Sequence, residues 1–168
     1  MKRMALIAGL LFSVAVAGVS NAESLSATRS MVTIGVSLLA TNSPFFVEMG
    51  KSMADEAAKQ GATVILRSAD LNMMKQKPQV AEFIKKPVSA IVLCPVDSKA
   101  IGISIDEAST ASIPVFTADI AAISGQDKVI CHVATDNLAG GREAGEAMIQ
   151  ALGGGGKVAI LDHRRSNR

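Results

Sequence analysis

Asn42, Asp70, Asp119 and Asp136 each stand just after a short apolar run, where a polar side chain could meet a small ligand. The runs are β-branched and four to eight residues long, as buried strands read. In open α/β sheets, ligands bind outside the carboxyl ends of the strands. The ordinary role of such residues is to cap the next helix, and Asp136 fits that role well. Asp119 differs, because no helical pattern follows it for several residues. A carboxylate at that edge can accept two hydrogen bonds from neighbouring hydroxyls. An aromatic ring close by can cover a sugar's C–H face. Phe45 and Phe46 are adjacent just past the first run, in a chain with five phenylalanines and no Trp or Tyr.

Catalytic chemistry finds little to work with. His132 and His163 are the two histidines, and His132 sits inside a predicted strand with no Cys or carboxylate at metal-ligand spacing. It reads as a structural histidine with its hydrogen bonds met. No serine lies in a nucleophile-elbow pattern. The four glycines at 153–156 follow a helix and precede a strand, whereas a phosphate cradle follows a strand and opens a helix. The spacing therefore predicts no catalytic residues, no metal ligands and no cofactor.

Strand and helix alternate along the whole pattern that positions these residues. Strands are predicted at 32–38, 63–66, 89–94, 113–118, 129–134 and 158–161. Asn42 or Ser43 caps a helix from Pro44 to about Gln60, with Pro44 at a first-turn position that needs no amide hydrogen. On that helix Phe46, Met49, Met53 and Ala57 form an apolar stripe, so Phe46 reads as core. Phe45 lies off the stripe, towards a cleft. Gly61 ends the helix where a left-handed residue is wanted. A second helix carries Val80, Phe83 and Ile84 on one face and either starts at Pro78 or is kinked there. A third, capped by Asp97 or Ser98, carries Ile101, Ile105 and Ala108. A fourth, at about 138–152, repeats Ala144, Ala147, Met148 and Ala151. Alternation of this kind implies right-handed βαβ units and a three-layer α/β fold: a parallel sheet with helices on both faces.

Residues 1–22 read as an export signal. Lys2 and Arg3 give the positive end, 4–19 the apolar stretch, and Ser20-Asn21-Ala22 the small-residue cleavage site. The 17 basic residues exceed the 15 acidic ones only through Lys2 and Arg3, so the rest of the chain is neutral. Such a surface gives no support for nucleic acid or an anionic membrane as partner. Arg164, Arg165 and Arg168 form a basic tail. Export would place Cys94 and Cys131 in an oxidising compartment. With the strand at 113–118 between them they would stand roughly 9–10 Å apart, beyond the roughly 7 Å that a bridge allows. Two free, buried thiols are expected.

The segments IGVSLLATNSPFF (34–46), AIVLCPVDSKAI (90–101), IPVFTAD (113–119) and HVATDNLAGGREAGEAM (132–148) together resemble a family. The chain is similar to the amino-terminal half of the periplasmic sugar-binding proteins of ABC importers, of the ribose-binding type. The resemblance implies two α/β lobes joined by a hinge, with a sugar trapped between them. On this reading 31–136 is the first lobe and 137–168 the start of the second. The motif from Asn42 to Phe46 lines the first lobe's side of the cleft, and Asp119 holds sugar hydroxyls. Asp136 and Asn137 fall where the chain crosses to the second lobe. The candidate ligand-binding residues are therefore Asn42, Phe45, Phe46, Asp119, Asp136 and Asn137. The ligand is a monosaccharide or polyol, the partner an inner-membrane ABC permease, the location the periplasm and the state a monomer. A sugar-sensing core of a gene regulator, or a chemoreceptor-type ligand-binding protein of the same fold, is the alternative. A regulator would need a helix-turn-helix where this chain has an export signal. A flavodoxin-like enzyme would need glycines that the Asn42-Ser43-Pro44 loop lacks.

Two departures from the family matter. Ribose binders often carry arginine after the cleft aspartate, and this chain has Ile120, which removes a charge-assisted donor. The family is also roughly twice as long. The expectation is a truncated or frameshifted product with weakened binding, an apolar face of the first lobe left partly uncovered, and an unstable carboxyl-terminal appendage.

Overall fold

The computed structural model describes residues 31–161. The export segment at 1–22, His163 and the arginines at 164, 165 and 168 lie outside the described residues. Five strands, β1 (Thr33–Leu38), β2 (Thr63–Ser68), β3 (Ala90–Leu93), β4 (Val115–Ala118) and β5 (Val129–Val133), form one parallel sheet in the order β2-β1-β3-β4-β5. Helices α1 (Pro44–Lys59), α2 (Met73–Lys85), α3 (Gly102–Thr110) and α4 (Asn137–Ala151) follow β1, β2, β3 and β5. The reversal of strand order at β1 and β3 opens a crevice at their carboxyl ends.

The strand period of two divides the core between the faces. Ile91, Leu93 and Val115 join Val80, Phe83, Ile101 and Ile105 under α2 and α3. Gly35 faces the same way, and a Cβ there would lie 2.6 Å from Cγ of Phe83, so the ring rests on bare backbone. On the other face, Val36, Leu38, Phe46, Cys94 and Ala118 cluster with Met49 and Met53 of α1. Helices therefore lie on both faces of a parallel sheet, as the alternation predicts.

Local signals set most element ends. Gly61, at φ 73°, closes α1, and the Ala62 amide donates back to the Ala57 carbonyl at 2.8 Å. The Asn72 side chain caps α2 by accepting from the Met74 amide at 2.8 Å. Pro78 is neither the start of that helix nor its end, but an interior residue.

Two expectations change. Residues 158–161 form no strand, and Val158, Ile160 and Leu161 are exposed. A single extended segment has no ladder to join when no strand beside it presents a matching edge. Cys131 is exposed rather than buried, while Cys94 is buried; both thiols are free. Cys131 pairs in register with Phe116, on the face where α1 packs mainly against β1 and β2, and β5 is largely exposed. The apolar stripe of α4 buries none of its residues.

That same face is open beyond α1 among the described residues. Val36, Val92, Phe116, Ala118 and Val133 floor an open groove of about 970 Å³, with Met49 and Met53 as one wall. Among the described residues, no helix is long and apolar enough to cross a membrane.

Candidate functional site

The carboxyl edge of the sheet gathers four acids, and hydrogen bonding sorts them. Asp70 accepts from the Ser68 hydroxyl at 2.6 Å and from Lys75 Nζ at 3.1 Å. The hydroxyl first, and then the ammonium, hold its carboxyl below the usual range. Asp97 accepts from the amides of Lys99 and Ala100, each at 2.8 Å, and these lower its carboxyl likewise. It caps the turn before α3 rather than the helix itself. Asp136 accepts from the Ala139 amide at 2.9 Å and so caps α4. Asp119 alone of the four has no side-chain partner among the described residues. Its carboxylate is free to receive hydrogen bonds from a ligand.

Its backbone is also unusual. Asp119 has φ 64°, a left-handed conformation that costs a residue with a Cβ about 1–2 kcal/mol. The neighbouring bonds hold it there: the Asp119 amide donates to the Val133 carbonyl at 2.9 Å, and the Ile120 amide to the Ala118 carbonyl at 2.8 Å. Strain of this kind concentrates at ligand sites, where the surrounding structure over-determines it. Asp70 and Leu71, at φ 51° and 59°, make a second strained pair on the same edge. The Asp119 charge is felt nearby. Burial pushes the Cys94 thiol up to about 11, an amide hydrogen bond from Leu39 pulls the other way, and the Asp119 carboxylate adds a smaller push upward.

The two phenylalanines divide as their spacing predicts. Phe46 is 8% exposed and packs in the α1 core, while Phe45 is 53% exposed. Their rings meet edge to face, with centroids 5.0 Å apart. Phe45, Asp119 and Thr135 line the same end of the groove. Most of that groove is apolar and suits a hydrophobic cover rather than a hydroxyl-rich molecule. Its polar end, with one free carboxylate, one hydroxyl and one exposed ring, is the part with the chemistry for a polyol.

Of the six residues singled out by sequence, the structure therefore brings Phe45 and Asp119 together. Asn42 is exposed in the β1–α1 loop, without a side-chain hydrogen bond among the described residues. Phe46 supports the loop from within the core. Asp136 and Asn137 are exposed at the start of α4. Thr135 was missed, since a threonine after a strand carries no distinctive signal. Also missed was a buried polar line beneath the edge, built on Gln76. Its signal was present: Gln76 falls on the apolar stripe of α2 with Val80 and Phe83, at i, i+4 and i+7, and is fully buried. No three Cys, His, Asp or Glu side chains converge to hold a metal among the described residues.

Known proteins bear on this arrangement. The profile of the periplasmic binding protein domain matches residues 34–167. The ribose import binding protein of Bacillus subtilis is 38% identical over 137 residues, 82% of this chain and 44% of the relative. A solved ABC transporter solute binding protein from Mycobacterium smegmatis, with bound glycerol, aligns with a TM-score of 0.68 and 30% identity, over 73% of this chain and 41% of that one. The Caulobacter myo-inositol binding protein, bound to myo-inositol, aligns with a TM-score of 0.65 and 30% identity, over 71% and 40%. The chain spans about half the length of the curated relatives it matches.

Proposed function

The chain belongs to the periplasmic binding protein family, and from that premise we propose that it binds a neutral sugar or polyol for an ABC importer. The observation that carries this reading is Asp119: strained, without a side-chain partner among the described residues, and lining the groove with Phe45. Its carboxylate accepts ligand hydroxyls, and the Phe45 ring covers the ligand's C–H face. Asn42 extends the same wall, and Phe46 holds the loop in place. With Ile120 rather than a cation beside Asp119, the edge favours neutral ligands over sugar acids or phosphates.

Residues 31–136 serve as the first lobe on this reading, and α4 opens the second at Asp136 and Asn137. Residues 1–22 direct export to the periplasm, where the protein works as a monomer and hands its ligand to an inner-membrane permease. Small ligands are held when some 70–90% of their surface is enclosed. One wall alone covers far less, so millimolar or weaker affinity is expected of these residues.

Nuclear magnetic resonance titration with D-ribose, xylitol, glycerol and myo-inositol tests the reading. Shifts confined to Asn42, Phe45, Asp119 and Thr135 are expected with at least one of them, and Asp119→Ala should abolish them. Resonances unmoved by every compound, or moved equally in Asp119→Ala, would sink it.

A further inference from the structure

A line of side-chain hydrogen bonds runs just beneath the carboxyl edge and ties three neighbouring strands together. Gln79 Nε2 donates to the Ser68 carbonyl at the end of β2, at 2.8 Å. Gln79 Oε1 accepts from the Ser37 hydroxyl on β1, at 2.8 Å. Ser37 Oγ in turn accepts from Gln76 Nε2 at 3.2 Å. The same Gln76 nitrogen donates to the Cys94 carbonyl just past β3 at 2.9 Å, while Gln76 Oε1 accepts from the Val96 amide at 2.9 Å. The Gln76 amide thus grips both sides of the buried Pro95, as the backbone of a neighbouring strand would. No buried side-chain nitrogen or oxygen lacks a partner among the described residues, so the line is complete.

We propose that Gln76 is a positioning residue for the ligand edge. It clamps the Pro95 turn to β1, and Gln79 clamps the end of β2 to β1. Together they fix the three loops that begin at Leu39, Ala69 and Cys94 at one height. Two backbone bonds finish the alignment, from the Ala69 amide to the Leu38 carbonyl and from the Cys94 amide to the Ser37 carbonyl, each at 2.9 Å. The wall that carries Asn42 and Phe45 rises from the first of these loops. The assignment rests on the reading of this edge as a ligand wall.

The test compares Gln76→Met and Gln79→Met in the full chain by amide resonance and hydrogen exchange, with D-ribose and myo-inositol as binding probes. Gln76→Met should speed exchange of the Val96 amide roughly tenfold. It should move resonances at 39–43 and 94–98 while α3 and β4 keep wild-type protection. Gln79→Met should instead move 68–71, and that selectivity is what a general core role would not produce. A probe that shifts the wild type should bind roughly tenfold more weakly to Gln76→Met. Protection lost evenly across the sheet, or loops unmoved in both variants, would overturn the assignment. Should Gln76→Met not fold, Gln76→Glu, which keeps an acceptor for Val96 but loses the donor to Ser37 and the Cys94 carbonyl, should leave Val96 exchange unchanged and still move resonances at 39–43 and 94–95. If neither probe shifts the wild type, the ligand reading fails, while the loop pattern still decides what Gln76 does.

Discussion

Asp119 and Val133 are joined across the β4–β5 edge by the Asp119 amide, which donates to the Val133 carbonyl at 2.9 Å while Asp119 itself stays left-handed. The bond fixes where β4 ends and turns the carboxylate out of the ladder. Strain and function then separate by mutation. Asp119→Gly relieves the backbone, offset by the roughly 0.5–1 kcal/mol that glycine's freedom costs, so its stability should match or slightly exceed the wild type's. Asp119→Ala should be about 1 kcal/mol less stable than Asp119→Gly. Denaturant melts of the two variants check the order, and both should lose the sugar-induced shifts.

Phe45 and Phe46 touch, yet should respond in opposite ways. Phe46→Ala removes a core ring and should cost about 3–5 kcal/mol. Phe45→Ala gives up an edge-to-face contact at an exposed site and should cost about 1 kcal/mol or less. Its loss should appear in ligand binding instead. Equal destabilisation by the two would place both rings in the core.

Acid sensitivity should trace in part to Glu82. Hydrogen bonds from Arg67 and then Lys86 hold its carboxyl down, from the ordinary 4.5 to about 2. Because the folded value is the lower one, the ion pairs stabilise the fold fully above about pH 4.5, and the contribution fades as pH falls towards 2. Glu82→Gln should therefore lower the melting temperature at neutral pH and flatten its decline between those values. The carboxylate is half-buried but still open to solvent, so added salt should shrink the difference.

The thiols should differ in rate. Cys131 is exposed and should react promptly with a disulfide reagent in the native protein. Cys94 is buried, with its thiol pushed up to about 11, and should react only on unfolding. Unreduced protein that yields no thiol in denaturant would mean a bridge that the structure does not contain.

Much of this protein is legible in its residues alone, because the signals involved are local. Alternating β-branched runs and helical stripes define the parallel sheet. Gly61 and Asp136 mark element ends through local backbone conformation and bonds to backbone a few residues away. Phe45 and Phe46 separate by helical phase, and Asp119 stands out because no helix follows it. Tertiary structure decided the rest, because burial depends on what lies across a face. Val129-Ile130-Cys131 reads like any buried strand, but β5 lies beyond the reach of α1, and Cys131 is left exposed. Residues 158–161 have a strand's composition but pair with no strand among the described residues. Gln76 could be suspected from its place on an apolar stripe, but its partners Ser37, Cys94 and Val96 are 18 to 39 residues distant in sequence. Only the packing of α2 against β1 and β3 brings them to one amide.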